Sequence, residues 1–93
     1  MQEAGPISYG AVGSIAGTAL PLTANSAPMV QGVYISCPST NSGPIYVGDS
    51  AVTTATGLPV AAGATSPMIP TNDASKIYVV SAGTGQAVRW LGA

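Results

Sequence analysis

Residues Asn41–Gly92 read NSGPIYVGDSAVTTATGLPVAAGATSPMIPTNDASKIYVVSAGTGQAVRWLG. Two runs within the stretch, IYV (Ile45–Val47) and KIYVV (Lys76–Val80), set a tyrosine among branched aliphatics, residue types that pack well on a pleated surface. Threonine- and glycine-rich turns surround them, and a further alternating run, QAVRWLG (Gln86–Gly92), closes the stretch. This is the pattern of a small β-sheet domain almost bare of reactive side chains.

Upstream, MVQGVYISC (Met29–Cys37) is the longest strand candidate, with Val33, Ile35 and Cys37 on one face and Tyr34 and Ser36 on the other. TALPLT (Thr18–Thr23) alternates around a proline that suggests an edge or strand-end position. ANSAP (Ala24–Pro28) is a turn and PSTNSGP (Pro38–Pro44) a loop. Downstream, Ile45–Asp49 is a short strand, and SAVTTATG (Ser50–Gly57) is either a β-branched strand or a wide connection. LPVAAGATSPMIP (Leu58–Pro70) turns at Ala62–Gly63 and resumes as a strand near Ser66–Ile69, and TNDAS (Thr71–Ser75) turns into KIYVVS. AGTG (Ala82–Gly85) is expected to join KIYVVS and QAVRWLG as a hairpin, with glycine where positive φ is needed.

No apolar periodicity of helical length occurs. The expectation is an all-β fold, a small antiparallel β-sandwich or jelly-roll-like barrel of six or seven short strands. Residues 1–17 (MQEAGPISYGAVGSIAG) are small, weakly patterned and punctuated by glycine. They read as an extended N-terminal arm preceding a domain at 18–93, with a short edge strand around Ile7–Val12 as the alternative.

A chain of 93 residues holds one domain with a marginal core. Its single cysteine excludes an intrachain disulfide, and the absence of histidine removes a structural zinc site of the usual His/Cys type. Self-association is the remaining stabilising device. Charged residues are 5% of the chain, against roughly 25% in ordinary domains, so little repulsion keeps copies apart. Two basic residues cannot neutralise a useful number of phosphates, so nucleic acid is not an expected partner. No run approaches the roughly 20 apolar residues of a membrane span, and MQEAGPISYG lacks the basic start of a secretory signal.

The inventory leaves little room for catalysis. Without histidine there is no Ser-His-Asp or Cys-His arrangement. Lys76, the only lysine, reads as a solvated strand-edge charge more readily than as half of a Ser-Lys dyad. Asp49 and Asp73 sit at strand boundaries, where aspartate bonds local backbone N–H groups. No D-x-D spacing suggests calcium, and Gly83-Thr84-Gly85 is a turn without the third glycine of a nucleotide loop. The expectation is no enzyme, no cofactor and no metal, with Cys37 a buried inert thiol.

Tyr34, Tyr46, Tyr78 and Trp90 fall on strands, where they either fill the core, form an interface, or make a sugar-stacking platform. Arg89 alternates to the face opposite Trp90, placed to meet a partner carboxylate or to pair with Asp73 or Asp49. Candidate contact residues are Ile7, Tyr9, Val12 and Ile15 on the arm, with Tyr34, Tyr46, Arg89 and Trp90 on the strands.

The segments NSGPIYVGD (Asn41–Asp49), VTTATGLPVAAG (Val52–Gly63), DASKIYVV (Asp73–Val80) and VRWLG (Val88–Gly92) resemble small structural proteins of tailed bacteriophages that decorate heads or form head fibres. The resemblance covers roughly residues 29–92 and rests on strand and turn motifs. It departs from the usual pattern at Ala62–Gly63, where Pro-Gly is commoner, and at the inserted-looking SPMIP (Ser66–Pro70). It implies a capsid decoration (cement) protein, often trimeric, made in the bacterial cytoplasm and placed on the virion surface. The implied partners are the major capsid protein and sister copies, and the implied role is to bridge capsomers. Residues 1–17 and the loops Pro38–Pro44 and Ser50–Gly57 are the contacts it suggests. The alternative is a head-fibre or tail-associated adhesin module that binds a host surface glycan.

Overall fold

The computed structural model describes residues 8–24, 27–28 and 30–93. Among them the chain forms strands β1 (Ser8–Ile15), β2 (Leu20–Pro21), β3 (Gly32–Ser36), β4 (Ile45–Gly48), β5 (Leu58–Val60), β6 (Ile69–Pro70), β7 (Tyr78–Ser81) and β8 (Gln86–Gly92). A single 3-10 turn, Ala74–Lys76, is the one helical element among the described residues. The fold is all-β, with two four-stranded antiparallel sheets ordered β1-β8-β3-β6 and β2-β7-β4-β5. Eight strands appear where six or seven were expected: β2 falls in the expected TALPLT segment and β6 at the end of Ser66–Ile69, each only two residues long, and β1 lies in the stretch read as an arm.

Both sheets contribute to one core. Val33 and Ile35 from β3 and Val88 and Trp90 from β8 meet Ile45 and Val47 from β4 and Val79 from β7. The alternation expected for Met29–Cys37 holds: Val33, Ile35 and Cys37 are buried and Tyr34 is exposed. The strand itself is shorter, beginning at Gly32.

The expected hairpin at Ala82–Gly85 is not formed. β7 is flanked by β2 and β4, and β8 by β1 and β3, so neither strand offers an edge to the other. The AGTG link instead carries the chain from one sheet to the other, which lets Val79 and Val88 enter the same core from opposite sheets. Ser81 Oγ donates to the Gly83 carbonyl, Gln86 Nε2 donates to that of Thr84, and Gly85 takes a φ of 69°.

The first strand also revises the reading of the arm. Ser8–Ile15 pairs antiparallel along β8, so this part of 1–17 is an edge strand of the sheet; Met1–Ile7 lie outside the described residues. One extra residue between Val12 and Ile15 forms a bulge, with Ser14 at a φ of 57°. Strict alternation would turn Ile15 outward with Tyr9, Ala11 and Gly13. The bulge reverses that parity and buries Ile15 completely.

Two connections are held by side chains. In 38–44, Asn41 Nδ2 donates to the Ala87 carbonyl at 2.7 Å while Asn41 Oδ1 accepts the Ala87 N–H at 3.0 Å, so an amide side chain stands in for a strand neighbour of β8. Buried Gln86 accepts the Ser42 N–H and donates to Ser42 Oγ, fastening the same loop. The Asp49–Gly57 connection folds back so that Val52 lies against Gly48 and Gly57, and the Thr53 and Thr56 hydroxyls bond each other at its tip. It is a wide connection and not a strand.

Candidate binding surface

The register of β1, β8 and β3 assembles residues that are far apart in sequence. Tyr9 pairs with Leu91, and Leu91 pairs with Tyr34, giving an outward row across three strands. These side chains are 78%, 45% and 41% exposed, an unusual concentration of large apolar surface on a chain with one tryptophan and no phenylalanine. Two residues along, Ala11, Arg89 and Ser36 form a second outward row, extended by Thr65, which bridges to Ser36.

Between the rows runs a groove of about 420 Å³, a size typical of small-ligand sites. Tyr9, Leu91 and Tyr34 line one side, and Arg89, Ser36 and Thr65 the other, with Gly10 and Trp90 between them. With strands spaced about 4.8 Å apart, Tyr9 and Tyr34 stand roughly 10 Å from each other across β8.

The face beneath explains the glycine at position 10. Gly10 pairs with Trp90, whose indole lies buried on the core side, and a Cβ at Gly10 would come within 2.9 Å of Trp90 Nε1. Trp90 Nε1 is buried and has no hydrogen-bond partner among the described residues.

Of the eight contact candidates, the structure brings Tyr9, Tyr34 and Arg89 together on this face. Trp90 contributes beneath it, with its ring in the core. Val12 is half-buried against the core and Tyr46 is half-buried on the other sheet, so both stand apart from the groove. Ile15 has no exposed surface with which to reach a partner, and Ile7 lies outside the described residues. Leu91, Ser36 and Thr65 were not among the candidates. The alternation of QAVRWLG already placed Leu91 beside Arg89, whereas their company with Tyr9 and Thr65 comes only from long-range pairing.

The remaining polar groups serve local structure. Asp49 accepts the Ala51 N–H. Asp73 caps the 3-10 turn, accepting from Ser75 N and Oγ and from Ala27 N. Lys76 donates to Asn72 Oδ1 on the exposed surface. Among the described residues no group of three or more His, Cys, Asp or Glu could hold a metal ion. The chain matches no known protein family, and no curated protein or solved structure is significantly similar to it.

Proposed function

We propose that this chain is a non-enzymatic virion structural protein. In this reading it binds the outer surface of a phage capsid and stabilises it by bridging capsomers, with the major capsid protein and sister copies, in a homotrimer, as its partners. The observation that carries the reading is the β1 edge. It is an eight-residue outer strand without a charged residue, and its backbone faces away from the domain on one side. Soluble domains ordinarily blunt such an edge with lysine, proline or a covering element, because it recruits strands from other chains. The bulge blunts only its last turn of sequence, near Ser14. An uncharged edge on a chain with two cations and three acids suits a protein that is covered by neighbours in its working state.

Among the described residues the two sheets share no paired strand, which favours an open sandwich over a closed jelly-roll barrel for the domain. Many copies on a lattice add their contacts, so each needs only a modest one.

Immunogold electron microscopy of intact virions, with antibody to this chain, tests the reading. Gold spread over the head is expected. Gold at the tail or fibre tips, or none on particles, refutes it. The edge is tested separately by Gly13→Lys, at a position where an added side chain meets nothing within 4 Å. The variant is expected to fold normally and to lose head occupancy.

A further inference from the structure

We infer that β1 is the seat of a twofold contact, in which it pairs antiparallel with the β1 of a second copy of this chain, centred on Ala11. The inference rests on the reading of β1 as a contact edge given above, and it names the occupant of that edge.

The two sheets have four outer strands, β1, β6, β2 and β5. Three of them are two or three residues long and each contains a proline: Pro21 in β2, Pro59 in β5 and Pro70 in β6. Proline has no N–H to give a ladder, so these edges are closed to strand addition. β1 is eight residues long, with neither a proline nor a charge. Among the described residues, a second copy therefore offers one edge able to meet β1, and it is β1 itself. A surface that meets its own copy is isologous and closes on two chains. Such a contact cannot close a ring of three, so within the trimer proposed above it links one trimer to the next. Paired this way, the sheets of two copies run on as a single eight-stranded sheet, β6-β3-β8-β1 continuing into its twofold image.

The pleat limits the register. Directly opposed residues share a face, so outward residues of one copy must oppose outward residues of the other. On β1 the exposed residues are Tyr9, Ala11 and Gly13, followed by the bulge at Ser14. Setting Ala11 opposite its own copy meets this condition over residues 8–14. Tyr9 then opposes Gly13 of the second copy, where an added side chain meets nothing within 4 Å, so the ring has room to lie across it. Charge does not oppose the contact. Arg89, which pairs with Ala11, is the one charged residue of β1 and β8. Three strand spacings hold the two guanidinium groups roughly 14 Å apart, beyond the screening length of about 8 Å.

The area fits a weak, specific dimer. Seven paired residues make a strip roughly 24 Å long and about as thick as a sheet, roughly 10 Å. Tyr9, 78% exposed, adds about 150 Å² of ring. The total is roughly 800 Å² over both copies, at the low end of specific interfaces.

The test is sedimentation of the purified chain over a dilution series. Reversible association is expected, with a Kd of about 100 µM or tighter. Gly13→Lys puts a charge in the space for the Tyr9 ring; it should keep the wild-type melting temperature in dilute solution and halve the mass of the assembled particle. Ala11→Cys should oxidise to a two-chain disulfide, because opposed Cα atoms about 4.5–5.5 Å apart lie within disulfide reach. Leu58→Cys, exposed on the proline-bearing β5 edge, should not cross-link. A wild-type chain that stays monomeric overturns the inference and assigns the edge to a strand of another protein. A mass that Gly13→Lys leaves unchanged or cuts to one third overturns it too, as does equal cross-linking through Leu58→Cys. A monomeric chain with gold on heads would end this inference alone, and a dimer with no gold on particles would end the capsid reading alone.

Discussion

Asn41→Ala should be the most damaging change of an exposed-loop residue in this protein. The loop 38–44 has no strand partner of its own, and Asn41 joins it to β8 through both backbone groups of Ala87, 46 residues away in sequence. Its Nδ2 also reaches Cys37 Sγ at 2.9 Å. Truncation leaves the Ala87 N–H and C=O without partners. Ala87 is half-buried, so water replaces part of the loss. At about 1–1.5 kcal/mol for each orphaned group the cost is about 2–3 kcal/mol. A chain of this length has roughly 5–14 kcal/mol of total stability, so a large share is lost. The melting temperature should fall by about 10–20 °C, since each kcal/mol moves a domain of this size by several degrees. Thermal and urea unfolding, followed by the fluorescence of the sole tryptophan, measure this directly. Thr40→Ala, next door and exposed, is the silent control. Gln86→Ala breaks the neighbouring fastening to Ser42, so the double variant should lose less than the sum of the single losses. A fall below about 3 °C for Asn41→Ala would show that the loop is not held through this amide.

Gly32→Ala should cost at least about 3 kcal/mol, because φ is 153° and the new Cβ would lie 2.2 Å from the Ile69 carbonyl oxygen, a backbone atom that cannot step aside. Circular dichroism on the purified variant checks this, and a wild-type melt would refute the β3–β6 pairing. Cys37, 1% exposed, should resist a thiol reagent in buffer and react only as the chain opens, with the labelling rate following the urea unfolding curve. Fast labelling in buffer would place β3 differently from the arrangement described.

The class of the fold and the chemistry the chain lacks were legible in residue order alone. Period-two alternation in GVYISC put Val33 and Ile35 on the face opposite Tyr34, and in QAVRWLG it put Arg89 opposite Trp90, because a strand's pleat imposes that period whatever its neighbours are; that Trp90 fills the core rather than a contact was decided by the fold. Turn chemistry likewise located the breaks at Pro38–Pro44, Ala62–Gly63 and Thr71–Ser75, since proline, glycine, asparagine and aspartate favour turn conformations. Pairing was not legible. Ala82–Gly85 has the composition of a hairpin turn, yet β7 and β8 join different sheets, because what each strand pairs with depends on edges contributed by β1, β2, β3 and β4. Ile15 shows the same limit at a single residue: one bulge changes its face, and no local property of SYGAVGSI announces it. The groove belongs wholly to this second category. Tyr9, Tyr34, Thr65 and Arg89 come from four separate parts of the chain, and they meet because antiparallel ladders bring β1 and β3 to the two sides of β8. Local physics decided which residues face out; only long-range hydrogen bonding between strands decided which of them stand together.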